Sequence, residues 1–566
     1  MISVSGNEWI EKKANKNSVD KIKQDFGFSE ILSKLIVLRN FDITEINNIH
    51  NSLNITNIFK NNKDFNDSAD LLINSLNQKD YICILGDYDV DGSTSTSLLV
   101  RFFKHINHPY FYYIPDREKD GYGATKKVFQ KLILKKPQLV IMVDCGSNSN
   151  EAINFLNDND IKSLIIDHHE INKPYPKSNI IINPKKNNGY QKYNYLCATT
   201  LTYFFLEILI KKIKSDFKLS NFLIYVLLAT ICDVMPLRKI NKIIGSYVIK
   251  NFKIQDSDAL NILFQQIGIN KKITINDLGY LIGPIINSGG RLGYSKYATK
   301  LLTSNNQETI KDISAQLIQL NNKRKVIEKK ILNEIDFEKI KKENKKVIIY
   351  YKKNINEGLI GIIAARLKDY FNKPSIVITN SNNILKGSAR STKDYNIGHL
   401  MKLLCDKKII INGGGHNMAA GFSLKKENIR ILDNFIQKDC EEKKINFNNY
   451  HNYDSEISFS AINNVFLSEI NKLGPFGNEN FIPIFFIKNA RVIKTKILNN
   501  KHIFAIIKPD HGPSIKSICF NCMHTVIGEH LLLYKKKINI IAEINENIWN
   551  NKKTIQLNVK DLILND

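Results

Sequence analysis

The sequence has little that would mark a secreted or membrane protein. It holds eight cysteines in 566 residues. The only tight pair is Cys519 and Cys522, and no second pair matches it as a structural zinc site would require. Reduced thiols in an intracellular protein are the straightforward reading. The opening MISVSGNEWIEKK lacks an apolar signal core. The longest strongly apolar run, residues 222–232, is too short to span a bilayer. These absences give the expectation of a soluble cytoplasmic protein with no membrane partner. Internal repeats are missing too, and the one compositional bias is toward Asn, Lys and Ile. Negative charge is scarce: 55 acidic residues face 81 basic ones, for a net charge of +26. A basic surface attracts polyanions, so nucleic acid is a natural partner. An AT-rich genome would raise the lysine content without any functional cause, so charge alone does not decide the matter.

What is present divides into segments. An apolar fraction of 43% supports packed domains, and the length calls for several of them. Residues 1–60 read as an N-terminal helical segment. From Tyr81 short Ile- and Val-rich runs (YICIL, QLVIMV, SLIID) alternate with helical stretches, the pattern of βαβ units and a parallel sheet. This α/β domain spans 61–245. Residues 246–345 are a helical bridge, containing a long helix or helix pair with a solvated, Lys-rich face. A second α/β domain follows over 346–450, with KKVIIYY and PSIVIT flanking the helix EGLIGIIAARLKDYF. From 451 to 566 alternating runs such as HIFAIIK and TIQLNVKDLIL predict a small β-barrel.

The chemistry concentrates at four places. GDYDVDG carries Asp87, Asp89 and Asp91 directly after a strand. Asp144 ends LVIMVD, Asp167-His168-His169 ends SLIID, and Asp233 ends an apolar helix before Pro236. Like charges so close together raise pKa values and cost stability unless a cation is present. Three of the four places follow parallel strands on one sheet edge, where open α/β sheets bind their ligands. Hard oxygen donors mixed with imidazole suit Mn²⁺ or Mg²⁺, and carboxylates can bridge two such ions. Each element alone has a bland reading: an Asp after a strand is often only a helix cap. GDYDVDG also imitates a calcium loop, but it lacks the Glu that such loops need at their twelfth position. The joint order makes coincidence a poor explanation.

GDYDVDG, VDCG, DHH and CDVMPL resemble the four motifs of the DHH phosphoesterase superfamily. GYG at 121–123 after PDR, and NSGGRLG at 287–293, are similar to further RecJ-type segments. EGLIGIIAARL, KGSARS and GGGHNMAAG resemble the accessory DHHA1 domain, and GPFGNEN with the last strands resembles the RecJ-type OB-fold. The resemblance covers about residues 40–566. It implies a DHH domain, a DHHA1 domain and an OB-type barrel. It also implies a 5′→3′ exonuclease on single-stranded DNA that releases 5′-mononucleotides, acting in recombination and repair. Its implied cofactors are two Mn²⁺ or Mg²⁺ ions. Single-stranded DNA is the implied partner, with a helicase and a single-strand-binding protein as further candidates for a monomer.

By position, Asp87, Asp89, Asp91, Asp144, His168 and Asp233 would hold or orient the metals. Asp144, His168 and His169 are the candidate catalytic residues, with His169 facing the scissile phosphate. Arg291, Ser388, Arg390 and His416 join His169 as candidate substrate ligands. The small residues around Ser388 and the run Gly413-Gly414-Gly415 are read as backbone cradles. In the barrel, Phe485, Phe504 and Trp549 are conceivable base-stacking residues. Two departures stand out. Leu85 and Asn356 occupy positions where relatives carry histidine, so one ion would have fewer protein ligands and use water or Asp87 instead. Two rivals remain: an oligonucleotide or cyclic-dinucleotide phosphodiesterase of the same superfamily, and a non-catalytic DNA-binding scaffold. The OB segment argues against the first, and the intact acidic set against the second.

Overall fold

A computed structural model describes the chain except residues 51–54, 117–118, 122, 187–190, 382–383, 446, 448–449, 534–535, 550–551 and 565–566. Two compact units emerge, each assembled from separated stretches of sequence. One comprises Ile55–Pro236 and Tyr247–Phe447; the other comprises Met1–Asn54, Leu237–Ser246 and Asn448–Asp566.

The first unit is built on a five-stranded parallel sheet. Its order is Tyr110–Tyr113, Ile82–Leu85, Leu139–Val143, Lys162–Ile166, Ile180–Ile182. The strands are runs of three to five residues, too short for stable helices, and Leu139–Val143 is buried at every position. Such strands pair only when both faces are covered. One cover is helix Val90–His105, which is buried along nearly its whole length. Its residues 92–97 are Gly, Ser and Thr, small enough for close approach to its neighbours. Thr94, Ser95 and Ser97 satisfy their hydroxyls by donating to carbonyls four residues back.

The bridge contains a single helix of 27 residues, Gln307–Asn333. Within it Glu328 is buried and accepts from Arg324 Nη1 at 2.9 Å and from Arg366 Nε at 2.7 Å. Arg366 lies on helix Glu357–Phe371, so this ion triad ties the bridge to the second sheet. That sheet runs Asn412–His416, Ala419–Leu424, Ile384–Arg390, Ser375–Ser381, Ile348–Tyr351. KGSAR lies within strand Ile384–Arg390 and GGGH within strand Asn412–His416, and Gly387 serves packing. A Cβ at Gly387 would sit 2.2 Å from the Phe422 ring.

The second unit holds the barrel. Strands Ser455–Ile457, Ile484–Leu498, His502–Pro509, Ile515–Cys519, Lys552–Leu564 and Ile538–Trp549 follow one another in that order. Pairing of Ile484–Leu498 with Ile538–Trp549 closes the ring and removes the open edge. Phe485 is fully buried in the barrel core, so it does not stack on bases. Phe504 is half-buried, and the Trp549 side chain lies outside the described residues.

The N-terminal segment does form helices, Lys16–Phe26, Glu30–Leu38 and Ile43–His50, but it does not pack alone. Phe28, Leu32, Leu35, Ile36, Phe41 and Ile46 belong to the same hydrophobic cluster as the barrel interior. Strand Glu8–Glu11 pairs in parallel with Tyr450–Tyr453. Asp561 fastens this arrangement: it accepts from Ser3 Oγ (2.7 Å), Ser5 Oγ (2.9 Å), Asn7 Nδ2 (3.2 Å) and Trp9 Nε1 (3.0 Å). Among the described residues no helix is long and apolar enough to cross a membrane. Asp561→Ala leaves several donors without an acceptor. It is expected to destabilise this unit by about 3 kcal/mol, read from denaturant unfolding, with Asp561→Asn losing less.

Candidate metal centre

Because the sheet is parallel, the loops after Ile82–Leu85, Leu139–Val143 and Lys162–Ile166 leave on the same edge. The first loop folds tightly onto the start of helix Val90–His105. A Cβ on Gly92 would lie 2.5 Å from the Asp87 carbonyl oxygen, so only glycine fits. Asp89 caps this helix, accepting from Gly92 N at 3.0 Å, so the bland reading of an acidic residue after a strand is realised there too. Asp91 is buried, and its two oxygens accept from Ala198 N (2.7 Å), Thr199 N (2.8 Å) and Thr199 Oγ1 (2.6 Å). It therefore sits against the amino end of helix Ala198–Ile213, a favourable place for negative charge.

Two members of the group stand on or beside unusual backbone. Asp144 has φ 61, with its N–H donating to Ile166 O at 3.0 Å. Asp233 terminates helix Leu223–Cys232. Behind it Val234 N donates to Ile231 O (3.2 Å) and Met235 N donates to Thr230 O (2.9 Å), a Schellman ending. Val234 takes the left-handed position of that motif, with φ 55. For a non-glycine residue this conformation costs about 1–2 kcal/mol.

The side chains converge. His168 Nε2 lies 3.4 Å from Asp144 Oδ1, 3.4 Å from Asp233 Oδ2 and 3.6 Å from Asp91 Oδ2. Three triads each bring one ligand atom per residue within 4.8 Å: Asp87, Asp89, Asp144; Asp91, His168, Asp233; and Asp144, His168, His169. Asp144 and His168 each occur in two of them. Asp144 Oδ1 and His168 Nε2 are buried and have no hydrogen-bond partner among the described residues. Buried polar atoms are rarely left so. Spacings of 3.4–3.6 Å between donors are too long for hydrogen bonds and near the edge of a coordination polyhedron with bonds of about 2.1 Å. The residues fit a divalent cation.

Electrostatics point the same way. Burial pushes the Asp91 carboxyl up to about 6 despite its hydrogen bonds from Thr199. Burial, then the charges of Asp91, Asp89 and Asp87, push Asp144 well above the ordinary carboxylate range. Asp233 is raised by burial and by Asp91 and Asp89. Burial drives His168 well below its ordinary value, leaving a neutral imidazole, the form that binds metal. His169 behaves oppositely. Burial alone would lower it, but Asp167, 2.7 Å from Nδ1, raises it to about 10. Asp167 also accepts from the backbone N–H groups of Ser147, His168 and His169. It organises the loop and orients His169.

The candidate substrate residues fall on a connected path. Tyr88 packs on Gly290, where an added Cβ would meet its ring at 2.5 Å. Next to Gly290, Arg291 Nη1 donates to Gly358 O at 2.9 Å. One turn further along helix Glu357–Phe371, Gly361 lies against the Arg390 guanidinium and Ser388 Oγ. Arg390 Nη1 also donates to Ala389 O at 2.8 Å. His416, on an edge strand, stacks against His169 with ring centroids 5.9 Å apart. Arg117 and Tyr122 of the GYG region lie outside the described residues.

Sequence reasoning missed the supporting residues. Thr199 holds Asp91, and Asn287 Oδ1 accepts from Val90 N at 3.1 Å. Asn183 Nδ2 donates to Ser147 Oγ and to His169 O. Thr199 and Asn183 carry no local signal, because each meets its partner across a large sequence separation; Asn287 opens the NSGGRLG motif, which by itself did not give this role. The two departures have plain structural roles. Leu85 is wholly buried in the sheet, and Asn356 caps helix Glu357–Phe371 by accepting from Gly358 N at 2.8 Å.

Family models match along this architecture: the DHH family N-terminal domain at residues 81–231, the DHHA1 domain at 344–442 and the RecJ OB domain at 453–561. The chain thus carries a DHH, a DHHA1 and a RecJ OB domain in that order. It is similar to the single-stranded-DNA-specific exonuclease RecJ of Bacillus subtilis (strain 168), 26% identical over 571 residues, covering 99% of this chain and 71% of the relative. It is also similar to the protein of that name from Haemophilus influenzae, 26% identical over 516 residues, covering 87% of this chain and 89% of the relative. The crystal structure of RecJ in complex with Mn²⁺ from Thermus thermophilus shares the fold. Its TM-score is 0.82 at 18% identity, over 99% of this chain and 80% of that one.

A carboxyl whose pKa is higher in the folded chain than in the unfolded one favours folding at low pH. That contribution fades as pH rises through the folded value, about 6 for Asp91. At about pH 7.5 in EDTA the crowded carboxylates should therefore oppose folding. Asp144→Asn is expected to raise Tm in EDTA by about 2 °C. It is also expected to lose most of the stabilisation that Mn²⁺ gives the wild type. A lower Tm in EDTA would contradict the repulsion argument.

Proposed function

We propose that this protein is a metal-dependent exonuclease that degrades single-stranded DNA from the 5′ end, releasing 5′-mononucleotides in recombination and repair. The observation that carries the proposal is the convergence of Asp87, Asp89, Asp91, Asp144, His168 and Asp233, two of whose buried atoms, Asp144 Oδ1 and His168 Nε2, lack hydrogen-bond partners among the described residues. Support for the substrate comes from the names of the relatives and from the RecJ OB domain. Mn²⁺ or Mg²⁺ is the proposed cofactor, as two ions. Asp87, Asp89 and Asp144 would hold one, and Asp91, His168 and Asp233 the other. The Thermus RecJ complexes with Mn²⁺ and with Mg²⁺ agree with this donor chemistry. Bound cations would acidify a water and neutralise charge on the scissile phosphate.

The chain's own groups divide the remaining work. His168 stays neutral and buried, so it can present a lone pair. His169, fixed through Nδ1 by Asp167, is proposed to donate to a non-bridging phosphate oxygen. Arg291, Ser388, Arg390 and His416 are proposed to grip flanking phosphates, Arg390 as a bidentate donor. The barrel is proposed to hold the strand beyond the cleavage site. Residues 1–60, 61–245, 246–345, 346–450 and 451–566 are the proposed working divisions; of the first, Met1–Asn54 groups with the barrel's unit. A cytoplasmic monomer that acts with a helicase and a single-strand-binding protein completes the proposal.

The deciding experiment is digestion of single-stranded DNA labelled at either end, with Mn²⁺, Mg²⁺ or EDTA. Early release of a labelled mononucleotide from the 5′-labelled strand, abolished by EDTA, is expected. Release first from the 3′ label would reverse the polarity, and cleavage confined to dinucleotides would favour the small-substrate relatives.

Arg390→Ala tests the second domain. Loss of a charged phosphate contact should raise KM for short oligonucleotides about tenfold while kcat changes little. Unchanged KM would remove Arg390 from the substrate site.

A further inference from the structure

Val234 is anomalous in two ways, and neither helps the folded state. It has φ 55, yet every other described non-glycine residue with positive φ is polar: Asn, Asp, Lys, Glu or His. It is the one β-branched residue among them, and branching at Cβ makes this conformation hardest to adopt. Other helices of this chain place Gly27, Lys214, Asn344 or Asn372 in the left-handed position after their last turn. Glycine would be the unstrained choice here too. Val234 is moreover 65% exposed, so burial of its side chain does not compensate the strain.

Its place supplies a reason. The residue before it is Asp233, whose carboxylate reaches His168 Nε2 at 3.4 Å. The Schellman hydrogen bonds from Val234 N and Met235 N fix the backbone at this point. An exposed apolar side chain is thereby held one residue from the metal centre, on a rigid helix end. Strain kept at a site is tolerated where the strained residue itself meets the ligand.

We propose that Val234 is a substrate-contacting residue: its side chain packs against the apolar surface, sugar or base, of the nucleotide being released. The proposal rests on the exonuclease reading above and adds a contact to it. Such a contact binds the nucleotide without touching the ions, so its loss should appear in KM and leave metal binding intact.

The experiment uses the full-length chain and a 5′-labelled oligodeoxythymidine strand with Mn²⁺. Three quantities are measured: Tm, Mn²⁺ affinity by calorimetry, and steady-state constants. Val234→Gly is expected to have a higher Tm, unchanged Mn²⁺ affinity and a KM raised about fivefold, the size of one lost apolar contact. Val234→Ile keeps a branched apolar surface and should recover most of the loss. A Val234→Gly enzyme with the wild-type KM overturns the proposal. So does a fall in Mn²⁺ affinity that accounts for the whole loss of kcat/KM, because Val234 would then act only by placing Asp233. A wild type that releases no nucleotide overturns the exonuclease reading, and this inference with it.

Discussion

Six carboxylates crowd together with two imidazoles at one edge of the parallel sheet, and the repulsion among the carboxylates is the constraint to which the surrounding structure answers. Asp87, Asp91 and Asp144 are almost fully buried, where charge is costly without a partner. The protein meets part of that cost with oriented donors. Asp91 is held by the amino end of helix Ala198–Ile213, Asp89 by the first turn of helix Val90–His105, and Asp167 by three backbone N–H groups and His169. Among the described residues the rest stays unmet at Asp144 Oδ1 and His168 Nε2. A cation is the natural complement, so the site stores an affinity for metal as an electrostatic imbalance.

Holding the ligands so close demands a backbone that ordinary residues resist. Asp144 and Val234 both lie at positive φ, and Gly92 is pressed against the Asp87 carbonyl. These exceptions fall within three of the four motifs, while the strands before Gly92 and Asp144 are fully buried. Rigid strands thus define the edge, and short strained turns aim the side chains from it. The DHHA1 sheet joins this frame through Arg291, through the buried Glu328 triad and through the stacking of His416 on His169.

The chain follows a discontinuous path through its two units. Leu237–Ser246, only a few residues after Asp233, packs with the N-terminus and the barrel. The first helices complete the hydrophobic cluster of the barrel, and Asp561 secures the opening residues. Phe28, Leu32, Leu35, Ile36, Phe41 and Ile46 are therefore part of the barrel unit's core.

The local pattern was enough to reveal the parallel sheet, the second α/β domain and the barrel, because buried strands and amphipathic helices differ in period over a few residues. It also marked Asp87, Asp144, His168 and Asp233, since acidic residues at strand and helix ends stand out against apolar runs. Other features depended on contacts between distant residues, which no local pattern encodes. Asp91 is secured by Thr199, the GGGH run is an edge strand, Phe485 fills the barrel, and the N-terminus docks on Asp561. Residue type and spacing determined which groups could bind metal; tertiary folding decided which oxygens and nitrogens meet, because hydrogen bonds and burial act through space rather than along the chain.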